Sequence, residues 1–190
     1  MIPSTRDIVY GLFGAWRLAH LDRGGMAFFD ATVSGFWKSF FAAVLVAPIY
    51  ILFVAFDMSE QSYSAGPLRA FLIHILTYSM SWTVFPVIVH PICQAIDRDE
   101  AYVPYIVALN WAMAIQFLIY LPVATVLWLD ILPSGMALLL KLGIYGVLLG
   151  YEWFIARTAL NVQPWPATGL VALNFMIGII LSTLVIALLH

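Results

Sequence analysis

The chain has 190 residues, of which 64% are hydrophobic and only 9% are charged, and its net charge is −2. About a quarter of the residues in a soluble domain are charged, so this composition excludes an ordinary soluble fold and indicates an integral membrane protein. The small negative charge gives no basis for binding nucleic acid.

Residues 1–35 are predicted to form a cytoplasmic, interfacial amphipathic segment rather than a signal peptide, because charged residues recur along it. Its first helix carries an apolar stripe at helical spacing, formed by Ile8, Leu12, Ala15, Trp16 and Ala19. Arg6 and Arg17 lie off this stripe. The helix could therefore lie on the membrane surface with Trp16 among the headgroups. A helix packed on the protein's own cytoplasmic loops is the alternative.

Five apolar stretches follow, each about 20 residues long or more, as a bilayer core of roughly 30 Å requires. They are predicted to form one transmembrane domain, 36–190, with spans at about 36–56, 68–90, 102–129, 135–157 and 167–189. The predicted fold class is all-α, a polytopic membrane helix bundle of five transmembrane helices with an N-terminal interfacial helix.

The positive charges near the span ends predict the orientation. Six lie on the side of the N-terminus, namely Arg6, Arg17, Arg23, Lys38, Arg98 and Arg157. Only Arg69 lies on the opposite side. Because lysine and arginine are retained in the cytoplasm, we expect a bacterial inner-membrane protein with its N-terminus in the cytoplasm and its C-terminus outside.

The fourth span contains both a lysine and a run of spaced glycines. At 100° per residue, Gly143, Gly146 and Gly150 fall within about 60° of each other. This small-residue face suits close contact with another helix, either of this chain or of a neighbouring subunit. Lys141 and Glu152 lie on roughly the opposite side. They are roughly 16 Å apart along the helix, so each needs a partner of its own.

Depth along the spans sorts the intramembrane polar residues into two predicted layers. The outer layer contains Lys141 and His74, and Gln116 lies toward the same half of the bilayer. The inner layer contains Glu152, Asn110, Asn174 and His90. An unpaired charge at the centre of a membrane helix costs at least about 2.5–3.5 kcal/mol. We therefore expect Glu152 to be neutral or bonded to Asn110, Asn174, Arg157 or a water.

Two interpretations of these layers remain open. One is a polar cavity with Glu152 as its central acid, and the other is a set of interhelical hydrogen bonds that fixes the bundle. Lys141 could also extend its ammonium group to the membrane surface.

Motifs of soluble catalysis are missing. The sequence contains no phosphate-binding glycine loop, no HExxH, no CxxC and no Gly-x-Ser-x-Gly. The single cysteine, Cys93, excludes an internal disulfide and a cysteine-only metal site. We therefore expect a protein that is not an enzyme and that has no metal and no cofactor.

The architecture resembles that of the Yip family, which combines a cytoplasmic amphipathic N-terminus with a compact five-span bundle. The segments YVPYIVALNW at 102–111 and YEWFIARTALNV at 151–162 are similar to uncharacterised alphaproteobacterial membrane proteins of that kind. The resemblance implies a non-enzymatic protein that associates with proteins or lipids.

Three functions are therefore considered. The first is a scaffold or accessory subunit that associates with membrane lipids and with other membrane protein subunits or itself. The second is a small proton-linked transporter that uses a polar cavity around Glu152. The third is an intramembrane lipid-modifying enzyme, for which the sequence shows no positive motif.

Overall fold

A computed structural model of the chain describes residues 2–60 and 66–189. Over these residues the fold is all-α and contains no strand. The helices are α1 (Thr5–Ala19), α2 (Val33–Ser39), α3 (Phe41–Glu60), α4 (Pro67–Ala95), α5 (Asp99–Trp128), α6 (Ser134–Leu160) and α7 (Pro164–Leu189). A short 3-10 helix at Arg23–Phe28 connects α1 to α2.

Within the described residues, five helical stretches are long and apolar enough to cross a membrane. They are Val33–Phe56, which joins α2 to α3, and the four helices α4 to α7. The predicted all-α bundle with five spans is confirmed, and the chain is a multi-pass membrane protein.

Several helices are longer than predicted, and the connections between them are correspondingly shorter. Helix α4 continues to Ala95 although the predicted span ends at 90, because Pro91 lies inside the helix rather than after it. Proline is tolerated within membrane helices where neighbouring groups bind the carbonyls that it leaves free. The Tyr102 hydroxyl donates to the Pro86 carbonyl at 3.1 Å, one residue before the Val87 carbonyl that Pro91 leaves without a helical donor.

Helix α5 is the centre of the bundle. It packs against α1, α2, α3, α4 and α6, whereas α7 packs chiefly against α4 and α6. Every residue from Tyr105 to Ala112 is buried, on all sides of the helix. A helix that is apolar all round is expected in such a central position.

Helix α1 docks against the bundle through its small residues. Gly11 lies directly against the indole ring of Trp111 in α5. The Tyr151 hydroxyl of α6 donates to the Ala15 carbonyl at 2.6 Å. Trp16 lies on another side of α1 and is 52% exposed. Helix α1 is therefore packed onto α5 and α6 and also onto the 3-10 helix of the connection that follows it.

Asp7 joins the N-terminal segment to the start of the first span. Asp7 forms a capping box with Ser4 at the start of α1. The same carboxylate forms an ion pair with Lys38 in α2, and Lys38 Nζ lies 3.1 Å from Asp7 Oδ2. This ion pair joins the first turn of α1 to the last turn of α2.

Candidate functional site

Glu152 lies between two amide side chains from neighbouring helices. Asn174 of α7 donates from Nδ2 to Glu152 Oε2 at 3.0 Å. Gln116 of α5 donates from Nε2 to Glu152 Oε1 at 3.3 Å. The carboxylate thus joins α5, α6 and α7 through one hydrogen bond to each of its oxygens.

The orientation of the Gln116 amide follows from a second contact. Its Nε2 also lies 3.4 Å from the Leu148 carbonyl oxygen. A backbone carbonyl can only accept a hydrogen bond, so the nitrogen and not the oxygen of the amide must face it. The same nitrogen then donates to Glu152, so both carboxyl oxygens of Glu152 act as acceptors.

Among the described residues, no lysine, arginine or histidine forms an ion pair with Glu152. Arg157 was one predicted partner, but it lies about 140° around α6 from Glu152. Its guanidinium instead lies over the Trp153 ring, 5.0 Å from the ring centroid. Among the described residues, the Glu152 carboxyl group is therefore contacted by neutral amide donors and not by a cationic side chain. On insertion scales, an uncompensated charge at this depth costs about 2.5–3.5 kcal/mol.

The carboxylate lines a cavity of about 350 Å³ between α4, α5, α6 and α7. Its polar wall consists of Ser81, Gln116, Tyr145, Glu152, Asn174 and Ser182. Its apolar wall includes Met113, Leu148 and Phe175. The site can therefore hold a ligand with a polar or charged end and an apolar body.

Two other members of the predicted inner layer lie elsewhere. Asn110 is 1% exposed and donates from Nδ2 to Ser39 Oγ at 2.8 Å. His90 is exposed and stands edge-on to the Tyr102 ring, with centroids 4.8 Å apart. The grouping of Asn110 and His90 with Glu152 is therefore wrong, whereas the contact between Glu152 and Asn174 is confirmed.

Counting residues from the predicted start of its span places Gln116 in the outer half of the bilayer. That count gives position along one helix only. Helices of different length and tilt pass each other at unequal depths, so residues at unequal counted depths can meet. The sequence feature that indicates this contact is the Gln116 amide itself, because an intramembrane glutamine generally needs a hydrogen-bond partner on another helix.

The predicted outer layer is not brought together. His74 is 8% exposed and lines a separate cavity of about 480 Å³ with Tyr50, Thr125 and Trp128. Lys141 is exposed on α6. Helix α6 packs chiefly against α5 and α7 rather than against α4, which carries His74. The pairing of Lys141 with His74 is therefore wrong.

The glycine face of α6, defined as Gly143, Gly146 and Gly150, is open. A methyl group added at any of the three would meet no heavy atom within 4 Å. Gly146 and Gly150 line an open apolar groove of about 480 Å³. Leu21, just after α1, and Ile119 of α5 form part of its other wall. Within the described part of the chain, then, the α6 glycine face is not used for packing.

The predicted interfacial residues have contacts of their own. Arg6 lies over the Tyr10 ring at 5.0 Å. Arg17 donates from Nε to Asp22 Oδ2 at 2.6 Å and so holds the turn after α1. The location of Trp16, Arg6 and Arg17 at a membrane surface stays a prediction.

Comparisons with protein-family models, curated proteins and solved structures give no match to this chain. The resemblance to the Yip family therefore stays a prediction as well.

Proposed function

We propose that this chain is a non-enzymatic accessory subunit or scaffold of the bacterial inner membrane, with its N-terminus in the cytoplasm. In this proposal the α6 glycine face receives a transmembrane helix of another membrane protein.

The proposal rests on one observation: among the described residues, nothing packs against the α6 glycine face. Glycine inside a helix lowers stability by roughly 0.5–1 kcal/mol relative to alanine. Gly143, Gly146 and Gly150 gain no internal contact in return. Their common face instead leaves the backbone of α6 accessible to a second helix.

The groove has the shape that such a partner requires. Helices associate in a bilayer through close packing rather than through the hydrophobic effect, and small residues permit the shortest separations. Leu21 and Ile119 rise on one side of Gly146 and Gly150, and would contact the side chains of a helix that lies in the groove. The positively charged flanks support the orientation.

The test is co-purification in mild detergent from native membranes. Gly146→Leu and Gly150→Leu fill the groove from positions where an added β-carbon overlaps no neighbouring atom, so the fold should persist while the bound partner is lost. Gly169→Leu is the matched control, because Gly169 in α7 is equally open but lies outside the groove. A protein that purifies alone as a monodisperse monomer before any substitution would contradict the proposal.

A second candidate is a small proton-linked carrier, and one observation favours it. Glu152 lines a cavity and has no cationic partner among the described residues, so its charge can be balanced by a proton or by a bound cation. Intramembrane carboxylates of this kind occur in proton and substrate pathways.

Proton flux into liposomes that contain the purified protein tests this candidate. Glu152→Gln keeps the size of the side chain and one acceptor oxygen, replaces the other oxygen with an NH2 group and removes the ionisable proton. It should abolish flux without unfolding the protein. Unchanged flux in this variant would remove the candidate. Glu100→Gln, at the first turn of α5, is the control for a change in charge outside the cavity.

A further inference from the structure

The cavity around Glu152 combines a carboxyl group that has no cationic side-chain partner among the described residues with neutral donors that are already committed. The Asn174 and Gln116 nitrogens both point to the carboxylate. A ligand that adds a further anion or carbonyl at Glu152 would be repelled. A ligand with a positive charge and N–H donors would complete the site.

Two aromatic rings stand at the same cavity. Tyr145 of α6 and Phe175 of α7 form a T-shaped pair with centroids 6.3 Å apart, and both line the cavity. Aromatic faces attract cations and also pack against apolar groups. The rings therefore favour an organic cation over an inorganic one.

The size of the cavity supports the same choice. Its volume of about 350 Å³ is about ten times the volume of one water molecule in the liquid. A bare monovalent ion would leave most of this space, and its apolar wall, without contact. Among the described residues, no group of three His, Cys, Asp or Glu side chains could hold a metal ion.

We propose that this cavity binds a primary ammonium group attached to a small apolar body. The ammonium group would contact the Glu152 carboxyl group, and the apolar body would lie against Tyr145 and Phe175. The proposal deepens the second candidate function, because it names the substrate class that such a carrier would move. Binding itself does not require that the protein transports anything.

Equilibrium binding of radiolabelled phenethylammonium to the whole protein in phosphatidylcholine nanodiscs tests the proposal. We expect saturable binding that unlabelled phenethylammonium displaces at least about tenfold better than phenethyl alcohol, its neutral analogue, a difference of about 1.4 kcal/mol. Comparable displacement by the alcohol would show simple apolar partition and would overturn the proposal.

Variants separate a direct contact from a structural effect. Glu152→Gln should weaken binding at least about tenfold, and Glu100→Gln should leave it unchanged. Phe175→Leu should weaken binding a few-fold, and Phe175→Tyr should restore it, because only the latter keeps an aromatic face. Unchanged binding in a folded Glu152→Gln variant would overturn the proposal, as would competition by sodium or potassium ions alone.

Changing the lipid composition of the nanodisc distinguishes a lipid headgroup from a free amine as the source of the ammonium group. Competition by phosphatidylethanolamine in the nanodisc would support ammonium recognition and assign it to a lipid headgroup. Absence of such competition, with phenethylammonium still bound, would assign it to a free amine. Saturable binding without proton flux would retain this proposal while removing the carrier function.

Discussion

Glycines in two regions of the chain meet opposite surroundings. In the N-terminal segment, a methyl group at Gly11, Gly14, Gly25 or Gly35 would overlap a neighbouring ring, carbonyl or side chain. In α6 and α7, a methyl group at Gly143, Gly146, Gly150, Gly169 or Gly178 would meet no heavy atom within 4 Å. The same residue type thus permits internal docking in one region and leaves open helix backbone in the other.

The difference separates structure from association. The N-terminal glycines let α1 and the 3-10 helix approach each other and α5 closely, which a larger residue would prevent. The glycines of α6 have no such role within the described chain. Substitutions in the first region should therefore change stability, and substitutions in the second should change binding to partners.

The largest effect on stability is expected at Gly11. Gly11→Ala places a methyl group into the indole of Trp111, which is itself buried, so one of the two helices must shift. We expect the free energy of unfolding to fall by about 1–3 kcal/mol. Gly143→Ala is the control and should raise it by up to roughly 1 kcal/mol through helix propensity. Unfolding in mixed micelles, followed by tryptophan fluorescence, would measure both, and equal effects would contradict the comparison.

A smaller loss is expected when the hydroxyl that joins α6 to α1 is removed. Tyr151→Phe deletes the hydrogen bond to the Ala15 carbonyl and keeps the ring. The expected cost is about 0.5–1.5 kcal/mol, with faster hydrogen exchange along α1. Tyr145→Phe, on the cavity side of α6, is the control and should leave exchange in α1 unchanged. Faster exchange in both variants would argue against a specific contact.

Leu21 gives a test in which stability and association change in opposite directions. It adopts a positive φ of 60° at the turn after α1, where a β-carbon costs roughly 1–2 kcal/mol. Leu21→Gly should relieve this strain and raise stability by roughly that amount, while it lowers the groove wall and weakens the partner. Asn161→Gly, at a similar φ of 48° after α6, should leave association unchanged. A loss of association in both variants would show that the effect is not local to the groove.

The smallest effect should come from pH at the start of α1. Hydrogen bonds from the Ser4 backbone and side chain, followed by Lys38, lower the pKa of Asp7 below its usual 3.8. Because the folded-state pKa is depressed, the stabilisation is present above about pH 4 and is lost as the pH falls through the folded value. We expect the protection of the α1 amides, taken relative to intrinsic exchange at each pH, to decrease below about pH 4 in the native protein. Asp7→Asn should show little change over the same range, and an equal response would exclude Asp7 as its origin.

The sequence predicts the architecture well because the bilayer alone sets the apolar composition and the length that each span must have. The helices, their number in the described residues and the contact of Glu152 with Asn174 follow from apolar length and from the cost of an unpaired polar group. The rotational argument also places Gly143, Gly146 and Gly150 on one face. These features are local to a helix or have only one physical solution.

What the sequence could not predict is which helices are neighbours. Gln116 and Asn110 have equal needs for a partner, yet one meets Glu152 and the other meets Ser39. The apolar stripe of α1 does not predict its docking, because the stripe leaves out Gly11 and Gly14, where the neighbouring segments approach most closely. Its buried face includes Gly11, Gly14, Ala15 and Leu18, with the spacing of close helix packing.

Photo-crosslinking from the groove tests the central claim most directly. Because Cys93 is buried, a Cys93→Ala background allows Gly146→Cys and Gly169→Cys to be labelled separately with a benzophenone in native membranes. The account predicts a discrete protein adduct from position 146 that is weak or absent from position 169 and is lost when Gly150→Leu is added. Equal adducts from both positions, or adducts with lipid alone, would contradict the claim that the α6 glycine face binds a partner helix.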